Sequence, residues 1–177
     1  MEAVFLLVLP VVLWAHAWYL LGFYTSPKTL GLLGAGVAIT LLALVVLGPL
    51  RLETDATLAA VSGLILLWAA YAAIVGANGL WGFDERTLGF YSLFLWVASL
   101  AYVLYFFVGD LTDVGVISTM MGVAALVLSV LAALLFFHQG PPYPRLRAAT
   151  GWFFLIGSII VAVIGVGALI GAVDLTV

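Results

Sequence analysis

Six apolar stretches, each about as long as a helix needs to be to cross a bilayer core, divide this chain, and the connections between them are short. They run from about Ala3 to Tyr24, Thr29 to Leu50, Ala56 to Asn78, Gly89 to Val108, Ile117 to His138 and Ala148 to Val173. Of the 177 residues 67% are hydrophobic and 7% charged, and the mean hydropathy is +1.35. Thirteen charged side chains cannot cover a water-soluble fold of this size, so lipid must be the solvent for most of the surface. The sequence therefore predicts an all-α integral membrane protein, a single domain over residues 1–177 forming a compact bundle of six transmembrane helices. Short linkers force neighbouring spans to run antiparallel, and the lack of strict two-residue alternation argues against a barrel. Met1 to Tyr24 lacks a basic leader region and a small-residue cleavage site, which predicts a permanent first span.

The connections after the first, third and fifth spans carry Lys28, Arg86, Arg145 and Arg147. The opposite side carries Arg51 together with Glu2, Glu53, Asp55, Asp110, Asp113 and Asp174. Four basic residues against one place the first set in the cytoplasm and both termini on the outer side of the cytoplasmic (inner) membrane.

All thirteen charges fall in connections or at span ends, which argues against a proton-coupled pump, a voltage sensor or a pore built from charged rings. The chain has no Cys, so disulfides, thiol nucleophiles and iron–sulfur ligation are excluded. His16 and His138 lie in different spans, and no carboxylate accompanies His16. No catalytic residue, metal or cofactor is expected, and the protein does not read as an enzyme. A net charge of −3 with scattered basic residues argues against nucleic acid as a partner. A passage for a small neutral polar solute needs only a narrow apolar channel with a few hydrogen-bonding groups to offset desolvation.

Candidates for such a passage follow from helical spacing. Leu6, Leu9, Leu13 and His16 share one face of the first span. Either this face lines a pore, or His16 hydrogen-bonds a neighbouring helix and joins the bundle. In the third span Trp68, Tyr71, Val75 and Asn78 share a face, with Leu67 four residues before Tyr71. Ser92, Ser99 and Tyr102 form a modest polar stripe on the fourth, although serines in membrane helices also return their hydroxyls to the preceding turn. Pro10 removes a backbone hydrogen bond from the first span. Gly31, Gly34 and Gly36, and Gly165, Gly167 and Gly171, allow close helix approach, within one subunit or between subunits. Tyr24, Trp81, Phe83 and Tyr143 sit where interfacial anchors are expected.

The run Tyr71-Ala72-Ala73-Ile74, the pair Gly79-Leu80, the charged turn Asp84-Glu85-Arg86, the run Tyr91-Ser92-Leu93-Phe94 and the later Thr150-Gly151-Trp152 resemble the urea/amide channel family, the AmiS/UreI group. The resemblance implies a passive channel or facilitator for urea or short-chain amides. It also implies a homo-oligomeric ring in the membrane lipid, six subunits in the best-known branch, each with its own pore. On that resemblance Leu6, Leu9 and Leu13 line the pore, with His16 where the family has Asn. Tyr71 carries over directly, while the aromatic one turn earlier falls on Leu67, with Trp68 beside it. From the polar stripe of the fourth span, Ser92 is a further pore-lining candidate. The family's fifth-helix tryptophans fall on Gly122, Leu126, Ser129 and Ala133, and its sixth-helix glutamate on Gly157. Those losses keep a second reading open, a non-transporting structural or partner-binding bundle. Acid gating in one branch depends on histidines in the outer loops, and this chain has none there.

Overall fold

A backbone amide in hydrocarbon has no water to bond, so each apolar run must satisfy its polar groups internally, and each run is helical. The computed structural model describes residues 2–23, 26–47, 56–109, 119–141 and 143–171. The elements are α1 (Glu2–Leu21), α2 (Pro27–Leu47), α3 (Ala56–Trp81), α4 (Glu85–Gly109), α5 (Thr119–Gln139) and α6 (Arg147–Leu169), with a 3-10 turn at Pro144–Leu146 before α6. There is no strand among the described residues, and all six helices are long and apolar enough to cross a membrane. This is a multi-pass membrane protein. Tyr24, Arg51, Glu53, Asp55, Asp110, Asp113 and Asp174 lie outside the described residues.

The helix ends at the basic side follow local chemistry. α1 stops at Gly22, whose φ of 81° is left-handed, and Phe23 N–H donates to the Trp18 carbonyl at 3.0 Å. Ser26 caps α2, accepting from Thr29 N–H at 3.1 Å, with Pro27 in the first turn where a missing N–H costs nothing. Gly82, with φ of 69°, ends α3, and Asp84 caps α4 by accepting from Arg86 N–H at 2.9 Å. The connection between α3 and α4 is thus only Gly82 to Asp84, shorter than the stretch from Gly79 to Leu88 that the apolar pattern suggests. The reason lies at Gly79, which works as a contact inside the helix and not as a breaker. A β-carbon there would run into the Pro27 carbonyl and stand 2.7 Å from Gly31 Cα.

Each helix has one dominant neighbour, giving three tight pairs, α2 with α3, α1 with α6 and α4 with α5. Looser contacts of α1 with α2, α3 with α4 and α5 with α6 close these pairs into a ring. Small residues mark every tight contact, as expected where backbones meet in lipid. A β-carbon on Gly34 would stand 2.8 Å from the Ala72 carbonyl oxygen, and one on Gly165 would stand 2.9 Å from the Leu6 carbonyl carbon. One on Gly89 would strike the Gly140 nitrogen. Gly36 has open space beside it and takes no part in these contacts.

Burial separates the helices into two classes. About half or more of α1, α3 and α5 is buried (56%, 56% and 50%), against 33%, 28% and 33% for α2, α4 and α6. Every tight pair therefore joins one inner helix to one outer helix. Large apolar side chains such as Ile39, Leu104 and Val163 face outward at 61% to 69% exposure, which suits lipid. Trp81, Phe83 and Tyr143 are exposed near helix ends, where amphipathic rings meet the headgroup layer.

Candidate functional site

At the end of the bundle that carries Gly82 and Gln139, the inner helices part to leave a cavity of about 220 Å³. His16 and Tyr19 of α1, Asn78 of α3, Glu85 of α4 and Gln139 of α5 supply its polar wall. Pro27, Leu30, Val75 and Leu88 supply the apolar one. A second hollow of about 370 Å³ shares Tyr19, Glu85 and Gln139 with it and is bordered by Asp84, Arg86, His138 and Arg147. Where the two adjoin, Tyr19 Oη donates to Glu85 Oε1 at 2.8 Å. Arg147, at the start of α6, donates from Nε to the Leu20 carbonyl at 3.0 Å and from Nη2 to the Tyr19 carbonyl at 3.3 Å. It thereby caps the last turn of α1, whose carbonyls have no partner in their own helix.

The inner limit of the cavity is a contact between α1 and α3. His16 Nδ1 and Tyr71 Oη lie 2.6 Å apart, 55 positions apart in sequence, and both side chains are buried. If the tyrosine hydroxyl donates to Nδ1, the neutral imidazole carries its proton on Nε2. The His16 ring also meets Phe154 of α6 edge-on at 5.3 Å, and Tyr71 meets Trp68 at 5.1 Å. Beyond this cluster Leu13, Leu9, Leu6, Leu64 and Ile65 are fully buried.

The residues singled out from sequence separate into two groups. Leu6, Leu9, Leu13, His16, Trp68 and Tyr71 are all buried inside the bundle, and Tyr71 joins His16 to Trp68. Ser92 and Ser129 are buried too, and Ser92 Oγ donates to the Leu88 carbonyl at 2.7 Å, the local bond that a membrane serine commonly makes. Leu67 stands apart: it lines an outer groove between α3 and α4 with Ala70, Phe94 and Tyr102, and its carbonyl accepts from Tyr91 Oη at 2.7 Å. Ala133 is half-buried, while Leu126 is 44% exposed on the outer surface. The Phe107 ring packs over Gly122, and Leu131 packs over Gly157.

Asn78, which the spacing set on the Tyr71 face, and Gln139, which it did not mark, complete the cavity. Asn78 is the only asparagine of the chain and Gln139 the only glutamine, and both border the same space. Asn78 Nδ2 and Gln139 Oε1 are each shielded from solvent and have no hydrogen-bond partner among the described residues, and the same holds for Trp68 Nε1 and Ser99 Oγ. Buried polar atoms are normally paired, so those of Asn78 and Gln139 stand out in the wall of the cavity.

No protein-family model and no curated protein matches this chain. Among solved structures it is similar to the urea channel of the human gastric pathogen Helicobacter pylori, with a TM-score of 0.74 over 98% of this chain and 100% of that one, at 18% identity. The chain carries the urea-channel fold. The likeness is one of architecture. In this urea-channel fold the polar cavity, the His16–Tyr71 contact and the buried leucine face of α1 stack in that order along the inner helices.

Proposed function

We propose that the protein is a passive channel or facilitator for small neutral polar solutes, urea or short-chain amides, in the cytoplasmic membrane. The observation that carries this reading is the cavity walled by His16, Asn78 and Gln139, with unpartnered donor and acceptor atoms and a narrow aromatic floor. In such a site hydrogen bonds to the wall offset the cost of stripping water from an amide, and the leucine face of α1 holds the solute too weakly to trap it. Leu6, Leu9, Leu13, His16, Trp68, Tyr71, Ser92 and Ser129 are the residues proposed to line the path. The urea-channel fold supports the reading, and the basic end is proposed to face the cytoplasm. The exposed apolar faces of α2, α4 and α6 suit lipid or a homo-oligomeric ring, which native mass spectrometry would resolve.

The test is stopped-flow light scattering of proteoliposomes challenged with urea, acetamide and a larger amide. Solute influx faster than in empty liposomes, altered by His16→Ala or Tyr71→Ala, is the expected result. Permeability equal to empty liposomes for every solute would favour a second reading, a structural or partner-binding bundle. The fully buried side chains of Tyr71, Trp68, Ile65 and Leu64 on one face of α3 are the observation on that side.

A further inference from the structure

We propose that Asn78 and Gln139 form an amide-binding subsite. The Asn78 Nδ2 group donates to the carbonyl oxygen of a small carboxamide or urea, and Gln139 Oε1 accepts one of its N–H groups. For its physiological meaning the subsite rests on the channel reading above; the binding chemistry stands on the geometry of the cavity.

The only two carboxamide side chains among 177 residues lie 61 positions apart, on different helices, and border one cavity. Each carries an atom that is buried and has no partner among the described residues, one a donor and the other an acceptor. Gln139 is 5% exposed, so bulk solvent does not bathe its side chain. An amide in a membrane protein that served only to join helices would spend both ends on neighbours. These two do not.

The backbones that carry them are held firmly. Gly76 and Gly79, on either side of Asn78, lie against the backbone of α2, where added β-carbons would meet Ala35 and Pro27. A β-carbon on Gly89 of α4 would stand 2.6 Å from the Gln139 carbonyl carbon, so α4 fixes the end of α5. A pair fixed in this way recognises a rigid guest at low ordering cost.

The chemistry selects by charge and by hydrogen-bond pattern. A primary amide is an acceptor at one end and a donor at the other, which complements a donor and an acceptor on the wall. A carboxylate would set its lone pairs against Gln139 Oε1. An alkylammonium offers Asn78 Nδ2 no acceptor. Glu85, the carboxylate of the cavity wall, is engaged by Tyr19 Oη.

Having one asparagine and one glutamine makes the test direct, because ¹⁵N-labelled protein gives only two side-chain amide signals. The full chain in nanodiscs is titrated with acetamide, N,N-dimethylacetamide and glycerol. Acetamide is expected to move both signals saturably. N,N-dimethylacetamide, which has no N–H for Gln139, is expected to bind at least about tenfold more weakly, as is acetamide to Gln139→Leu or Asn78→Leu. The remaining signal in each variant reports whether it folds. Shifts that do not saturate, or that glycerol reproduces, would overturn the subsite and leave water as the occupant. Saturable binding without flux in proteoliposomes retains the subsite and removes the channel reading. Flux with no saturable shift does the reverse.

Discussion

His16 of α1 and Tyr71 of α3 share a hydrogen bond of 2.6 Å at the floor of the polar cavity, joining two inner helices where the passage narrows. The two readings that the sequence left open for His16 thus meet in one side chain. It binds a neighbouring helix and also faces the cavity.

Breaking this bond is expected to affect stability and permeation differently. Tyr71→Phe and His16→Leu should each cost about 1 kcal/mol in a membrane-mimetic unfolding assay, with a double-mutant cycle showing most of that as coupling. Tyr71→Ala removes the ring as well, and should raise acetamide flux and admit a larger amide. An unchanged ratio of the two fluxes would remove Tyr71 from the path.

The glycine contact between α2 and α3 should tolerate no side chain. A β-carbon on Gly34 would lie 2.8 Å from both the Ala72 oxygen and the Gly76 nitrogen, and backbone atoms cannot turn aside. Gly34→Val is expected to cost about 1–3 kcal/mol or to prevent folding. Gly36→Ala, on the same helix with open space beside it, should be neutral or stabilising by up to about 1 kcal/mol. Thermal unfolding in detergent separates the two outcomes.

Arg147 opens α6, where its charge opposes the dipole of its own helix, yet it serves the end of α1. Arg147→Met should release the Leu20 and Tyr19 carbonyls and lower stability by about 1 kcal/mol. Amide hydrogen exchange should speed up in the last turn of α1 and stay unchanged in α2. Lysine, a point charge without the planar fork, should restore only part of the protection.

Flux should not switch on as external pH falls. Both histidines sit within helices, His16 against Tyr71 and His138 in the last turn of α5, and the chain has none elsewhere. A steep rise in acetamide permeability between neutral and acid pH would contradict this.

Hydropathy located all six spans because burial in lipid needs only an unbroken apolar run, and the spacing from Leu6 to His16 marked a face that the fold turns inward. It could not distinguish inner from outer helices. Where lipid replaces water, both faces of a span are apolar, and periodicity loses its meaning. The glycines carry that information instead, as Gly31, Gly34, Gly76 and Gly79 do for α2 and α3. Leu67 and Trp68 lie four and three residues before Tyr71, so spacing alone favours neither, and packing brings Trp68 to the tyrosine ring. Asn78 shares the Tyr71 face, and Gln139 ends an apolar run; their rarity in this composition was the signal for the cavity.

The tight contact between α1 and α6 has a consequence for the order of synthesis. Of these six spans α1 is made before α6, its main partner, so α1 waits in the bilayer with its Leu6 carbonyl uncovered until Gly165 arrives. A chain ending before Arg147 would still pair α2 with α3 and α4 with α5 but leave α1 without its main partner and the ring open. Pulse-chase labelling should show it cleared by membrane proteases much faster than the full chain, because only α6 covers the face of α1 that Gly165 meets.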